Sequence, residues 1–305
     1  MDGYLMSKSP TVLITGANGY TGSHACNYLS EKGFNVVGVT RNPYFEGEVQ
    51  REVCDLTNKE SVIKLIQKIK PEYLLHLAGK NHVGNSWITP SSFLEANLMS
   101  TVYLLEALRQ ESVACKVLIA GSALQFNPTD LSTLNHPYSL SKTFQSLAAQ
   151  SWVALYDMDI IIAKPSNLIG PGPSNGVCSI FAKKIVEMEN QRSEKVLMVN
   201  NLKAQRDFLD VRDAVKAYEV IFRKGNSGEV YDIASGCSHS LQEIVNELKT
   251  LTPLNFKIKS DPDIQPEERF QIPPLKMLEL GWRPSISLSN SLKDTVTYYR
   301  QNKSN

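Results

Sequence analysis

Residues 12–23 read Val-Leu-Ile-Thr-Gly-Ala-Asn-Gly-Tyr-Thr-Gly-Ser, and this stretch decides the fold. Its apolar start is typical of a buried strand, and a helical pattern begins after Gly16, Gly19 and Gly22. We expect Gly16 to allow a tight turn, Gly19 to let backbone N–H groups approach phosphates, and Gly22 to let the helix pack closely. The positive N-terminal end of the helix also attracts anions. The stretch therefore predicts a turn that binds a dinucleotide pyrophosphate, and the alternative is a plain turn.

Strand and helix patterns alternate after this turn. Apolar runs predict strands at 34–39, 73–77, 117–120 and 160–163, and apolar residues at helical spacing predict helices at 60–69 and 93–109. Strands separated by helices indicate an α/β fold with a doubly wound parallel sheet, the Rossmann arrangement. The Pro- and Gly-rich stretch 165–176 ends this rhythm. We predict a dinucleotide-binding domain over 1–165 and a smaller, mainly substrate-binding lobe over 166–305, with residues 207–233 returning to the first domain.

Bulk properties restrict the class of protein. The 305 residues carry a formal net charge of +1, which gives no reason to expect a nucleic-acid partner. There is no apolar run long enough to span a membrane and no pattern of a signal peptide at the N-terminus, so we expect a cytoplasmic protein. The five cysteines show no metal-ligand spacing, and we expect reduced thiols and no metal site.

A second informative stretch is Tyr138-Ser-Leu-Ser-Lys142. Its spacing places a phenol and an ammonium on one face of a helix, where the charge favours the phenolate and eases proton transfer. Ser122 directly follows a predicted strand, at the sheet edge where α/β enzymes build their sites. The alternatives are a solvated pair for Tyr138 and Lys142 and a turn or cap residue for Ser122.

Together these residues resemble the extended short-chain dehydrogenase/reductase family, also described as the NAD-dependent epimerase/dehydratase family. The resemblance covers nearly the whole chain. It includes Asn97 and Pro165, and it is greatest to the GDP-mannose 4,6-dehydratases and GDP-4-keto-6-deoxymannose reductases, through residues 164–172, 201–213 and 281–284. The resemblance implies that Tyr138 is the acid/base, Lys142 its pKa modulator and ribose anchor, and Ser122 a hydrogen-bond donor to the reacting oxygen. The implied cofactor-binding residues are Gly16, Asn18, Gly19, Tyr20, Thr21, Gly22, Arg41, Asp55, Leu56, Leu77, Ala78, Gly79, Asn97, Tyr138 and Lys142.

The resemblance also implies a nucleotide-sugar substrate. Asn167 and Arg206 match residues that bind the sugar nucleotide, and Ser86 and Ser122 match positions that face the hexose. An ion pair of Arg206 with Asp207 or Asp210 is the alternative for that guanidinium. The Arg-Pro of the family's C-terminal substrate loop reads Gln265-Pro266 here, so we expect Arg269 to supply the positive charge. Because of these departures, the nucleotide of the substrate can be GDP, UDP, dTDP or CDP.

The type of reaction depends on the segment after Ser122. A dehydratase needs an extra acid/base group, which the family supplies as a Glu two positions after the catalytic Ser or Thr. Leu124 holds that position here, and the adjacent Gln125 is no acid. We therefore predict a 4-reductase of a nucleotide-activated 4-keto-6-deoxyhexose, with a homodimer as the expected assembly and surface polysaccharide as the destination. The alternatives are a 4-epimerase, a 4,6-dehydratase and a non-catalytic regulatory protein.

The end of the second strand indicates which cofactor is used. NAD-preferring members place an acid there to bind the ribose 2′-hydroxyl, whereas this chain reads Val39-Thr40-Arg41-Asn42. A guanidinium attracts a 2′-phosphate that a carboxylate would repel. Arg41 therefore predicts NADP(H), and the alternative is an arginine pointing into water.

Overall fold

The described chain comprises residues 9–43, 49–261, 265 and 267–302 of a computed structural model, and it divides into two compact units. The first unit runs up to Lys164 and includes Tyr218–Tyr231, and the second comprises Pro165–Ala217 and the chain from Asp232 onward. The helices and strands up to the end of the first unit's main segment are β1 Thr11–Thr15, α1 Tyr20–Glu31, β2 Asn35–Thr40, β3 Gln50–Val53, α2 Lys59–Ile69, β4 Tyr73–His76, α3 Val83–Ile88, α4 Pro90–Phe93, a π-helix Leu94–Met99, α5 Ser100–Gln110, β5 Lys116–Ala120, a 3₁₀ turn Leu131–Thr133, α6 Pro137–Tyr156 and β6 Ile160–Pro165.

The rest of the described chain continues the same alternation with shorter strands. Its elements are β7 Asn167–Ile169, α7 Val177–Glu189, β8 Val196–Met198, β9 Gln205–Asp210, α8 Val211–Lys224, β10 Val230–Ile233, β11 Ser238–Ser240, α9 Leu241–Thr250, β12 Lys257–Lys259, α10 Leu275–Glu279 and α11 Leu288–Gln301.

Among the described residues, seven strands form the main sheet in the order β10-β6-β5-β4-β1-β2-β3. Neighbouring strands from β3 to β6 run parallel, which confirms the predicted doubly wound α/β fold. Strand order reverses between β1 and β4, so the crevice that binds ligands in such sheets lies at the carboxyl ends of these two strands. The turn at Gly16 and the turn at Leu77 therefore meet at the expected place.

Apolar side chains explain why these strands are buried. All five residues of β1 are buried, and Leu13 packs on one face with Leu74 of β4 and Val117 of β5. Helices α2 and α5 cover that face with residues such as Leu65 and Leu105. Because parallel strands with both faces covered need continuous apolar runs, the sequence pattern predicts them well.

Two elements differ from the sequence prediction. Strand β3, Gln50–Val53, is polar and largely exposed, so it carries no apolar run to reveal it. The helix predicted at 93–109 is interrupted by the π-helix Leu94–Met99, which buries Asn97 completely. A π-helix adds one residue to a turn, and an apolar periodicity does not reveal that insertion.

The second unit is built on small sheets. In the described chain, β7, β9 and β11 form one sheet, β8 pairs with β12, and helices α7, α9 and α11 contribute to one apolar core. No described helix has the length and apolar character that crossing a bilayer requires.

Asp213 anchors the segment that includes the Gly-Trp-Arg-Pro motif. Its carboxylate accepts hydrogen bonds from Ser285 N at 2.7 Å and Ile286 N at 2.8 Å, and its carbonyl accepts one from the Trp282 indole at 3.1 Å. Burial raises the pKa of Asp213, but the hydrogen bonds from Ser285, Ile286 and Lys216 outweigh it and hold that pKa below its ordinary value. The motif is thus explained by packing in this unit.

Replacing Asp213 with alanine should lower the free energy of unfolding by about 3 kcal/mol at neutral pH, because Ser285 N, the Ser285 hydroxyl and Ile286 N all lose the buried carboxylate that accepts their hydrogen bonds. Because the pKa of Asp213 is lower in the folded than in the unfolded protein, its carboxylate stabilises the fold at pH values above the unfolded-state pKa. This stabilisation is lost as the carboxylate is protonated, so the difference from wild type should shrink below about pH 4. Urea unfolding across this pH range measures it, with the exposed Glu279→Ala as control. A constant difference down to low pH would contradict the assigned role.

Candidate functional site

The glycine turn is a cradle into which no side chain fits. Gly16 has a φ of +69°, and a Cβ there would lie 2.9 Å from Ala78 N. A Cβ on Gly22 would lie 2.0 Å from Gly16 O, so only glycine lets α1 approach the turn this closely. The turn is closed by a hydrogen bond from Gly19 N to Gly16 O of 2.9 Å.

The N-terminus of α1 is open to an anion. Gly19 occupies the N-cap position without a side-chain hydrogen bond, and the first turn of the helix carries no acidic residue. Asn18 and Gly19 are exposed, and Tyr20 and Thr21 are half-buried. Unsatisfied N–H groups and the helix dipole therefore face the space above the glycine turn.

Arg41 follows β2 directly and is exposed. The hydrogen bonds from Thr57 lower the pKa of Asp55, and the positive charge of Arg41 lowers it further. Arg41 therefore lies close enough to Asp55 for an electrostatic effect. Leu56 is buried beside it. Three of the predicted cofactor-binding residues, Arg41, Asp55 and Leu56, are thus neighbours in the fold.

The turn after β4 is tied to the glycine turn by Thr15. Its hydroxyl oxygen accepts hydrogen bonds from Leu77 N at 3.2 Å and Ala78 N at 3.1 Å. Gly79 leaves space for Asn97, because a Cβ there would lie 2.6 Å from Asn97 Oδ1.

The amide of Asn97 is occupied by the protein itself. It accepts from Lys80 N at 2.8 Å and donates to Lys80 O at 3.0 Å and to Ser141 Oγ at 2.9 Å. Asn97 therefore holds the turn after Gly79 against α6, and its predicted contact with cofactor stays a prediction.

Ser122, Tyr138 and Lys142 are all buried in the first unit. Tyr138 and Lys142 lie one turn apart on α6, and the phenol is hydrogen-bonded with the Ser122 hydroxyl. Ser122 Oγ also accepts a hydrogen bond from Leu124 N at 3.0 Å, so its own proton is free to turn toward another oxygen. The structure thus brings the three predicted catalytic residues together.

The electrostatics of Tyr138 and Lys142 differ from the sequence prediction. Burial raises the pKa of Tyr138, and the hydrogen bond with Ser122 lowers it only in part. Burial also lowers the pKa of Lys142 to about 7. Its amine donates to Ala120 O at 2.6 Å and to Gln145 Oε1. A poorly solvated ammonium loses its proton more readily, so the predicted lowering of the Tyr138 pKa by Lys142 is not what dominates here.

A cavity of about 410 Å³ lies next to Gly79, and its lining includes Lys80, His82, Asn85 and Phe93. The Ser86 side chain is fully buried, and its hydroxyl donates to Val83 O at 2.6 Å inside α3. Its predicted contact with the hexose therefore stays a prediction, while Asn85 reaches the cavity.

The predicted substrate residues of the second unit lie on neighbouring elements. Asn167 is exposed on β7 and donates to Asp207 O at 3.0 Å. Arg206, on β9, pairs with Glu267 at 2.6 Å and not with Asp207 or Asp210. Arg269 pairs with Glu243, and Pro266 lies outside the described residues. Each predicted phosphate-binding arginine thus carries a carboxylate partner that a phosphate would have to replace.

Known proteins resemble this chain in sequence and in fold. The sequence model described as the NAD dependent epimerase/dehydratase family matches residues 12–234. The chain belongs to this family. GDP-6-deoxy-D-mannose reductase of Pseudomonas aeruginosa is 26% identical over 92% of this chain and 94% of its own. dTDP-D-glucose 4,6-dehydratase of Bos taurus is 25% identical over 97% of this chain and 90% of its own. The solved structure of RMD from Pseudomonas aeruginosa complexed with NADPH has a TM-score of 0.83 at 24% identity, covering 96% of this chain and 98% of that one.

The glycine cradle fits the dinucleotide that the family's name implies. Backbone approach at Gly16 and Gly22 and an uncapped helix N-terminus are what a pyrophosphate requires. Within the described residues, no cluster of three His, Cys, Asp or Glu side chains is arranged to hold a metal ion.

Three polar residues near the site are not among the predicted site residues. His136 caps α6 through Nδ1, which accepts from Ser139 N at 2.9 Å, and its ring stacks on Tyr138 at 5.9 Å. His76 and Gln145 are almost fully buried behind Lys142. His76 is the last residue of β4, and it is linked to Lys142 through Thr101 and Gln145. An apolar strand that ends in a histidine was the available hint.

Proposed function

We propose that this chain reduces the 4-keto group of a nucleotide-activated 4-keto-6-deoxyhexose with NADPH. The nucleotide carrier is GDP, UDP or dTDP, and the proposed substrates include N-acetylated sugars. The segment after Ser122 carries this proposal. Leu124 cannot move a proton, and the Gln125 amide donates to Lys142 O at 3.2 Å and to Ser146 Oγ at 2.6 Å. This segment lacks the acid/base group that dehydration requires, whereas net reduction needs only the proton donor that Tyr138 provides.

The proposed mechanism uses the two hydroxyls at the end of β5 and the start of α6. When bound, NADPH supplies the hydride for C4 of the sugar. Because burial keeps the Tyr138 phenol protonated at neutral pH, it can donate its proton to the carbonyl oxygen. Ser122 donates a hydrogen bond to the same oxygen, stabilising the negative charge that develops there. Lys142 has three N–H donors, of which two are engaged, and the third can hold a ribose hydroxyl.

The test is to add NADPH and a panel of dehydratase-generated 4-keto-6-deoxy sugar nucleotides to the purified protein. We expect NADPH to be consumed in proportion to product, and mass spectrometry to show the product gaining one hydride and one proton. A 4-epimerase would instead retain tightly bound oxidised cofactor and interconvert 4-hydroxyl epimers without net consumption of NADPH. Unchanged NADPH absorbance across the whole panel would overturn the proposal.

The choice of NADPH is proposed from Arg41. Arg41→Ala should weaken NADPH binding about tenfold and change NADH binding less than about twofold, because only NADPH carries the 2′-phosphate. Fluorescence titration with both cofactors measures this, and the exposed Arg51→Ala serves as the matched control. Equal losses for the two cofactors would show that Arg41 does not recognise the phosphate.

We propose a homodimer that uses α6. Phe144, Leu147 and Leu155 on this helix are exposed apolar residues at helical spacing, 39%, 40% and 70% accessible. Leu147→Glu should convert a dimer to monomers in light-scattering measurements, because it places a charge in an apolar interface. A wild-type monomer would contradict this assembly.

A further inference from the structure

A row of buried polar side chains runs from Lys142 through the first unit. The Lys142 amine donates to Gln145 Oε1, and Gln145 Nε2 donates to Thr101 Oγ1 at 2.8 Å. Thr101 Oγ1 lies 2.9 Å from His76 Nε2. His76 Nδ1 lies 2.7 Å from Thr15 Oγ1, beside the glycine turn. All five residues are less than a tenth exposed.

The partners at each end fix the direction of every hydrogen bond in this row. Thr15 Oγ1 accepts from the two N–H groups of Leu77 and Ala78, so its own proton goes to His76 Nδ1. His76 then carries its proton on Nε2 and donates it to Thr101. Burial lowers the pKa of His76 to about 3, with a smaller effect of the Lys142 charge, so the ring stays neutral.

Thr101 completes the constraint. Its hydroxyl donates to Asn97 O at 2.7 Å, inside the helix, so its oxygen can only accept from Gln145 and His76. If the Gln145 amide flipped, its NH₂ would face the Lys142 amine and its oxygen would face a hydroxyl without a free proton. The row therefore allows one orientation, in which Gln145 presents its oxygen to Lys142.

We propose that Gln145, held in this orientation by Thr101 and His76, is a positioning residue for Lys142. Its oxygen fixes the amine at the end of β5 and supports the charged form at a buried position. The proposal relies on the proposed function only in assigning Lys142 to the reaction. Two N–H groups of Lys142 are then committed to Ala120 and Gln145, and the third stays available for a ligand.

Burial lowers the pKa of Lys142 to about 7, so burial leaves the charged form only about as populated as the neutral form at neutral pH. A hydrogen-bond acceptor favours the charged form of an amine, and Gln145 supplies one without a countercharge. The titratable groups facing Lys142 are Tyr138 on the same helix and His76 on β4. In the described part of the chain its hydrogen bonds go to Ala120 and Gln145 and to no carboxylate.

The experiment titrates Lys142 directly by NMR, on full-length protein with isotope-labelled lysine ε carbons. Lys142→Met identifies the resonance. Gln145→Met keeps the length of the side chain but removes the acceptor, and it should lower the midpoint of Lys142 by about one pH unit. Gln145→Glu adds a negative charge and should raise the midpoint by about two units. Gln150→Met, on the exposed side of α6, should leave it unchanged.

Opposite shifts in the two Gln145 variants distinguish positioning from space filling. An unchanged midpoint in both folded variants, or shifts in the same direction, would overturn the proposal. If Gln145→Met fails to fold, Thr101→Val keeps Gln145 but removes the group that orients it, and an unchanged midpoint there would also overturn it. The titration needs no substrate, so a wild-type protein that consumes no NADPH would refute the proposed function and leave this result standing.

Discussion

Replacing Tyr138 with phenylalanine is expected to lower the rate of NADPH-dependent reduction at least about 10³-fold, because the reaction loses its proton donor. The exchange removes one oxygen and leaves the ring. NADPH affinity should stay within about threefold of wild type, since a single neutral hydrogen bond contributes about 0.5 kcal/mol net. Stopped-flow measurement of NADPH oxidation and a separate binding titration keep the two effects apart.

The ring of Tyr138 explains why binding should survive. It packs edge-on against Phe93 at 6.4 Å and stacks with His136 at 5.9 Å, and both contacts persist in phenylalanine. The hydroxyl, in contrast, has Ser122 as its hydrogen-bond partner. Ser122 is a poor proton donor by itself, so it does not replace the phenol.

The matched control is Tyr156→Phe, the same exchange at the exposed C-terminal end of α6, which should retain full activity. A Tyr138→Phe enzyme with more than about a tenth of the wild-type rate would show that another group protonates the carbonyl oxygen. Loss of NADPH binding in this variant would instead indicate a structural role for the hydroxyl.

Sequence was sufficient for those parts of the fold that depend on neighbours in the chain. The strand before Gly16 and the helix that follows the glycine turn come from a local apolar run and local glycines; the structure has both, although α1 begins at Tyr20 and therefore includes Gly22. Strand β3 escaped because an edge strand is exposed and needs no apolar run. The π-helix around Asn97 escaped for a different reason, because its one-residue insertion leaves the apolar spacing almost intact.

The candidate site was predictable in its reactive groups but not in their partners. Ser122, Tyr138 and Lys142 carry a recognisable spacing, whereas the partner of Arg206 lies 61 residues away in a polar loop. No pattern in the sequence distinguishes Glu267 from Asp207 or Asp210 as that partner. Side-chain ion pairs at the surface gain little energy and therefore impose little on the sequence.

The row of buried polar side chains behind Lys142 could not be predicted from the sequence either. Gln145 and Thr101 are 44 residues apart, and each looks like an ordinary helical residue until the fold joins them. A buried polar group must find a partner, so the sequence reveals that Gln145 is unusual only once its burial is known. Prediction from sequence thus ends where the constraint comes from tertiary contacts.

Replacing Gly22 with alanine should have the largest effect on the cofactor site. The new methyl group would lie 2.0 Å from Gly16 O and 2.8 Å from Gly16 C, so α1 must move away from the turn. Overpacking against backbone costs about 3 kcal/mol, and the helix propensity of alanine returns about 1 kcal/mol. We expect a net loss of about 2 kcal/mol in stability and at least about a 100-fold loss of NADPH affinity, because the N–H groups no longer converge.

Alanine substitutions at two other glycines serve as comparisons for this prediction. Gly19→Ala meets Gly16 O at 3.1 Å, so the fold should tolerate it while NADPH affinity falls about tenfold. Gly33→Ala at the far end of α1 has no atom within 4 Å of its Cβ but a φ of +84°, so it should cost about 1 kcal/mol and leave NADPH binding unchanged. Urea unfolding and NADPH titration of the three variants separate stability from binding. If Gly22→Ala bound NADPH as tightly as Gly33→Ala does, the close packing of α1 on the turn would not be what creates the phosphate site.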